Sequence, residues 1–166
     1  LNKAGDHTEV VDLEAKGVRP RQLREAFSRQ LGRWPDVVGF TGLNGAARGI
    51  RECIAELRAA GFTGRIIAGG AYATLNPQAV SDWGADLVVT GEAEGNITEL
   101  LELGATGIQA GKAAPIEDIP APAWDYFTPD LASYYGNMAM LRPNPGITMW
   151  TRGCPYQCVF CSNLIF

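Results

Sequence analysis

Apolar residues follow two rhythms along the first hundred positions, and the two alternate. Thr8-Glu9-Val10-Val11-Asp12-Leu13 has the look of a strand with mixed faces. Pro20, tolerated at a first helical position, then opens a stretch in which Leu23, Ala26, Phe27 and Leu31 recur at helical spacing, with Gly32 placed to cap it. Asp36-Val37-Val38-Gly39-Phe40-Thr41 is a short apolar run of the kind buried on both faces of a parallel sheet. The alternation repeats with a helical stripe of Ile50, Cys53, Ile54 and Leu57 that stops at Gly61, and with the strand Arg65-Ile66-Ile67-Ala68, ended by Gly69-Gly70. A short helix starts at Asn76 and Pro77 and ends near Gly84, followed by the strand Asp86-Leu87-Val88-Val89-Thr90 up to Gly91. Ile97, Leu100 and Leu101 make a last helix closed by Gly104. Strands alternating with helices predict a parallel sheet with right-handed crossovers and helices on both faces.

Residues 1–5 read like the end of a helix, and no strand of the kind that becomes central in such a sheet precedes 8–13. The expectation is therefore a domain over 1–104 lacking its first strand, with a gap in the sheet beside 8–13. Residues 105–146 hold six of the ten prolines and predict an inter-domain connection. Trp124, Tyr126, Phe127, Tyr134 and Tyr135 suggest that it packs on something. Residues 147–151 read as a new strand, opening a second unit over 147–166.

Composition narrows the classes. The 166 residues are 46% apolar and 19% charged, enough to bury a core. A net charge of −4 argues against a nucleic-acid or anionic-membrane partner. No apolar run is long enough for a membrane helix and no signal peptide is visible, so the expected compartment is the cytoplasm.

Chemistry is concentrated at one place. Three of the four cysteines, Cys154, Cys158 and Cys161, fall in Arg152-Gly153-Cys154-Pro155-Tyr156-Gln157-Cys158-Val159-Phe160-Cys161. This C-x3-C-x2-C spacing directly follows a strand and a glycine. Three soft sulfur ligands this close suit one inorganic cluster, and three ligands to a four-iron cluster leave one iron open. A structural zinc would want a fourth ligand nearby, and the single histidine, His7, is remote. A redox pair at Cys158 and Cys161 leaves Cys154 unexplained.

These residues, with Phe160 before the last cysteine, resemble the signature of radical S-adenosylmethionine enzymes, in which the loop follows the first strand of a partial (β/α) barrel. The preceding domain, the Pro-rich Ile119-Pro120-Ala121-Pro122-Ala123-Trp124-Asp125 and the cysteine loop, in that order, resemble the cobalamin-binding subclass of those enzymes. The resemblance implies a flavodoxin-like parallel sheet, then the start of a radical barrel. It implies a [4Fe-4S] cluster on Cys154, Cys158 and Cys161, with Phe160 near the adenine of S-adenosylmethionine. It implies that a 5′-deoxyadenosyl radical abstracts hydrogen from an unreactive carbon of a small-molecule or natural-product-like substrate, that an external electron donor is needed, and that cobalamin supplies a methyl group. The fragment alone would be inactive.

Ligands of open α/β sheets bind at the carboxyl ends of the strands. The cobalamin-side candidates are accordingly Thr41 and Gly42, then Gly69, Gly70, Tyr72 and Thr74, then Gly91 and Glu92. Relatives often carry histidine where Tyr72 stands, and an Asp-x-His-x-x-Gly loop for an axial ligand is absent. Taken without the resemblance, the same loops are ordinary turns of any flavodoxin-like domain. The competing function is then a non-catalytic ligand-binding domain joined to a zinc or redox tip; radical chemistry without cobalamin is a third reading. Plainer roles fit the other residues: Cys53 as a buried small hydrophobe, Trp34 and Trp83 as packing, and Asp12, Asp36 and Asp86 as caps or solvated charges.

Overall fold

The computed structural model describes residues 7–11, 18–121 and 152–161. Its centre is a four-stranded sheet of β1 (Val37–Thr41), β2 (Arg65–Gly69), β3 (Leu87–Thr90) and β4 (Gly107–Ala110). The spatial order follows the chain, and every pairing is parallel. The helices are α1 (Leu23–Leu31), α2 (Ala47–Ala59), α3 (Gly70–Leu75), α4 (Pro77–Asp82) and α5 (Ile97–Glu102).

The apolar stripes become the core. Leu23 and Phe27 of α1, and Cys53, Ile54 and Leu57 of α2, pack with Val38, Ile66, Ala68 and Val88 on one face of the sheet, joined by Ala73 of α3 and Val80 of α4. Ile67, Leu87 and Val89 point to the other face, where Ile97, Leu100 and Leu101 of α5 cover them. Ile54, Ile66, Leu87 and Val88 are fully buried, each stabilising the fold by about 1.5–3 kcal/mol relative to an exposed side chain. Gly32, left-handed at φ +67°, caps α1 through its N–H to the Ser28 carbonyl, as its position predicts. Trp34 packs against Phe27 and Phe62, with ring centres 6.0 and 5.4 Å away.

Asp86 is more than a solvated charge at a strand end. Its Oδ2 accepts the Ile66 N–H at 2.7 Å and Arg58 Nη2 at 2.6 Å. Arg58 also donates to the Phe62 and Gly64 carbonyls, tying the end of α2 to the starts of β2 and β3. Arg65 reaches across to the carbonyls of Leu101, in the last turn of α5, and Ala105, just beyond it, tying the start of β2 to that end of the helix.

Three expectations are corrected. Residues 8–11 form no strand, because the Val10 carbonyl and the Glu9 side chain are taken by Gln30 Nε2 of α1; residues 12 and 13 lie outside the described residues. Among the described residues β1 is the edge of the sheet, paired to β2 alone. The turn after β2 is not a loop, because α3 starts at Gly70 and Asn76 breaks it at φ −134°, the residue before Pro77 being pushed out of the helical region. The sheet also continues past residue 104, since β4 pairs with β3 from Leu87↔Gly107 to Thr90↔Ala110, inside the segment read as connection. The strand expected at 147–151 lies outside the described residues.

Candidate functional site

The carboxyl ends of β1, β2 and β3 open on a cavity of about 240 Å³ on the face that α5 covers only in part. Gly39 and Thr41 of β1, Ile67 and Gly69 of β2, Val89 of β3 and Ile97 of α5 form its walls, with Ala93 from the loop between β3 and α5. Parallel register sets Gly39 beside Ile67 and Thr41 beside Gly69, so two glycines fall on one face of adjacent strands. A Cβ at Gly39 would meet nothing within 4 Å, and one at Gly69 only the Val89 carbonyl at 3.6 Å. The space therefore exists because these two positions carry no side chain. Among the described residues of the wall Thr41 supplies the one polar side chain, in a mostly apolar pocket.

The sequence-predicted residues divide. Thr41 and Gly69 line the cavity. Gly42 instead lies tight against α2 and the turn before it, where a Cβ would come within 2.8 Å of Ile50 Cδ1 and 2.9 Å of Ala46 Cβ. Gly70 takes φ +82° to turn from β2 into α3, and a Cβ there would sit 2.5 Å from Thr41 Oγ1. Tyr72 packs on the opposite face, stacked on Trp83 at 5.4 Å. Thr74 is buried and structural: its hydroxyl donates to the Gly70 carbonyl and accepts the Gly91 N–H, joining α3 to the end of β3. Gly39, Ile67, Val89 and Ile97 are not among the sequence candidates, whereas Ala93 falls in the candidate loop 91–95. The signal that finds Gly39 is strand alternation, which puts it on the same face as Thr41.

Glu92 and Glu94 flank Ala93 at the lip of the cavity and face Arg152. Arg152 Nη1 lies 3.1 Å from Glu92 Oε2 and 2.8 Å from Glu94 Oε1, with all three side chains 30–38% exposed. Burial pushes the Glu94 carboxyl up, but its own backbone N–H, Arg152 and the Ala93 N–H outweigh this and hold it below the ordinary glutamate range. Glu92 first, then Glu94, raises the Arg152 guanidinium further above its usual value. The cysteine loop thus begins against the sheet's carboxyl edge.

Cys154, Cys158 and Cys161 are exposed. The Cys161 N–H donates to the Cys158 carbonyl in a turn. Among the described residues, no three His, Cys, Asp or Glu side chains stand close enough together to hold a metal ion. Three thiols within eight residues are a suitable donor set for a cluster, and binding would have to gather them, as metal binding to short loops commonly does. Phe160, Tyr156 and Val159 are exposed. Cys53 is buried, and its thiol is pushed up to about 11 by that burial and by Glu52 and Glu56, which keeps it an inert packing residue. His7 is on the surface, 3.3 Å from Glu9. Among the described residues no helix is long and apolar enough to cross a membrane.

The sequence model of one family, described as "B12 binding domain", matches residues 1–101. An uncharacterized methyltransferase of Synechocystis sp. is 30% identical over 138 residues, which span 80% of this chain and 23% of that protein. The chain therefore corresponds to about a quarter of the length of that relative. The crystal structure of the N-terminal domain of a hypothetical protein of Thermotoga maritima is similar at a TM-score of 0.48 and 21% identity, over 66% of this chain and 82% of that one.

Proposed function

Because this chain belongs to the B12-binding domain family, we propose that it is the corrinoid-holding part of a cobalamin-dependent radical S-adenosylmethionine methyltransferase. The observation that carries the cobalamin side is the cavity floored by Gly39 and Gly69 at the carboxyl edge of the sheet. At about 240 Å³ it is smaller than the roughly 300–1,000 Å³ of sites that enclose a whole ligand, so it suits one arm of a large cofactor. Gly39, Gly69, Ile67, Val89 and Ile97 would seat that arm, Thr41 would orient it, and the apolar walls would exclude water. Cys154, Cys158 and Cys161 would hold a [4Fe-4S] cluster. When bound, cobalamin supplies a transferable methyl group, and the cluster supplies the electron that splits S-adenosylmethionine to a 5′-deoxyadenosyl radical. The protein's own share is to bind, orient and shield these groups. The methyltransferase name of the Synechocystis relative supports methyl transfer as the outcome. The substrate class remains a small molecule with an unactivated carbon, and an external donor supplies the electrons.

The test is metal content. Full-length protein purified without oxygen and supplied with iron, sulfide and hydroxocobalamin is expected to retain about one cobalt and about four irons per chain through gel filtration. Cobalt without iron leaves a corrinoid carrier and removes the radical half of the reading. One zinc in place of iron identifies the cysteine loop as a structural tip, and absence of both metals ends the proposal.

A further inference from the structure

We propose that Arg152 is a positioning residue that pins the cysteine loop to the lip of the apolar cavity, so that what the three thiols hold stands beside what the cavity holds. The identity of the two held groups rests on the reading above; the pin itself rests on geometry. Glu92 and Glu94 lie on either side of Ala93, which lines the cavity, and Arg152 Nη1 reaches both. Nη1 carries two N–H groups, enough for one bond to each carboxylate. Without the cation, two like charges would crowd one lip, which raises the cost of losing it.

The lip is a firm anchor. Gly95 N–H donates to the Lys112 carbonyl at 2.7 Å, and Gly111 N–H to the Thr90 carbonyl at 2.7 Å. The Asn96 side chain donates to the Ala110 carbonyl and accepts the Lys112 N–H. The loop carrying Glu92 and Glu94 is thereby laced to the chain leaving β4. On the other side of the pin, Gly153 turns the chain at φ +88°, and Cys154 follows at once. One residue thus separates the pinned guanidinium from the first thiol.

Trypsin reads the pin directly, because it must take the Arg152 side chain to cut before Gly153. In metal-free full-length protein, the double variant Glu92→Gln with Glu94→Gln is expected to be cut after Arg152 roughly fivefold faster, the worth of two part-exposed charge pairs. Cutting after Arg29 should not change. Raising the salt concentration should speed the Arg152 cut in the parent and not in the variant. Equal rates in parent and variant overturn the proposal. A second readout concerns position. In protein loaded with iron and Co(II) cobalamin, with the cluster brought by an added one-electron reductant to its paramagnetic reduced state, the double variant should keep its iron and cobalt while the magnetic broadening between cluster and cobalt falls. Broadening equal in both proteins also overturns the proposal. A parent that binds neither metal refutes the cofactor reading instead and leaves the trypsin result to decide the pin.

Discussion

Gly39→Leu in the full-length protein is expected to weaken cobalamin binding by on the order of a hundredfold or more while the domain stays folded. A Cβ at this position meets nothing within 4 Å, so the leucine does not collide with the protein; it grows into the cavity. Glycine is also a poor strand residue, and its replacement in β1 removes conformational entropy from the unfolded chain. Stability should therefore hold or rise, which separates this variant from one that merely unfolds. Gly39→Ala should give a smaller loss in the same direction. Equilibrium titration of cobalamin absorbance, alongside the thermal midpoint, measures both effects. Undiminished affinity in the leucine variant would show that the cofactor does not use this cavity.

The other large effect belongs to the thiols. Alanine at Cys154, Cys158 or Cys161, one at a time, is expected to reduce iron from about four per chain to less than about one, because each thiolate is a required ligand and a cluster on two cysteines is easily lost. Cys53→Ala is the matched control. It removes a cysteine that is buried in the core, so it should leave iron unchanged and lower only the thermal midpoint. Iron retained by any loop variant would mean that the metal sits elsewhere.

Legibility followed the strength of the local signal. The α1 and α2 stripes are plain because helical spacing and a terminal glycine agree, and the same residues form the core. The strands β2 and β3 are plain because buried parallel strands are continuous apolar runs; β1 carries a similar run but is an edge strand in which only Val38 is buried, not a strand buried on both faces. β4 was hidden because Gly107-Ile108-Gln109-Ala110 has one β-branched residue and is mostly exposed; pairing with β3 makes it a strand. α3 was hidden behind Gly69-Gly70, whose pattern reads as a turn. A six-residue helix is too short to be stable alone, and Ala73 and Thr74, both buried, hold it in place. The segment at 8–11 shows the reverse error, since alternation without a neighbouring strand was captured by Gln30. Half of the cavity was missed for a related reason. The glycine-rich loops carry the visible signal, whereas most of the walls are positions inside strands, and Gly39 matters through what it lacks.

The contrast between one sheltered cysteine and three open ones gives this protein an internal gauge of its own integrity. A slow alkylating reagent applied to the native, metal-free chain from 1 to 166 should label the three loop sulfurs and spare Cys53, whose depth and raised proton affinity both keep it unreactive. Appearance of a fourth label, followed by mass spectrometry, then marks the moment the interior between α2 and the sheet comes apart. Global opening can in that way be timed separately from events at the loop, without a dye or an added tag.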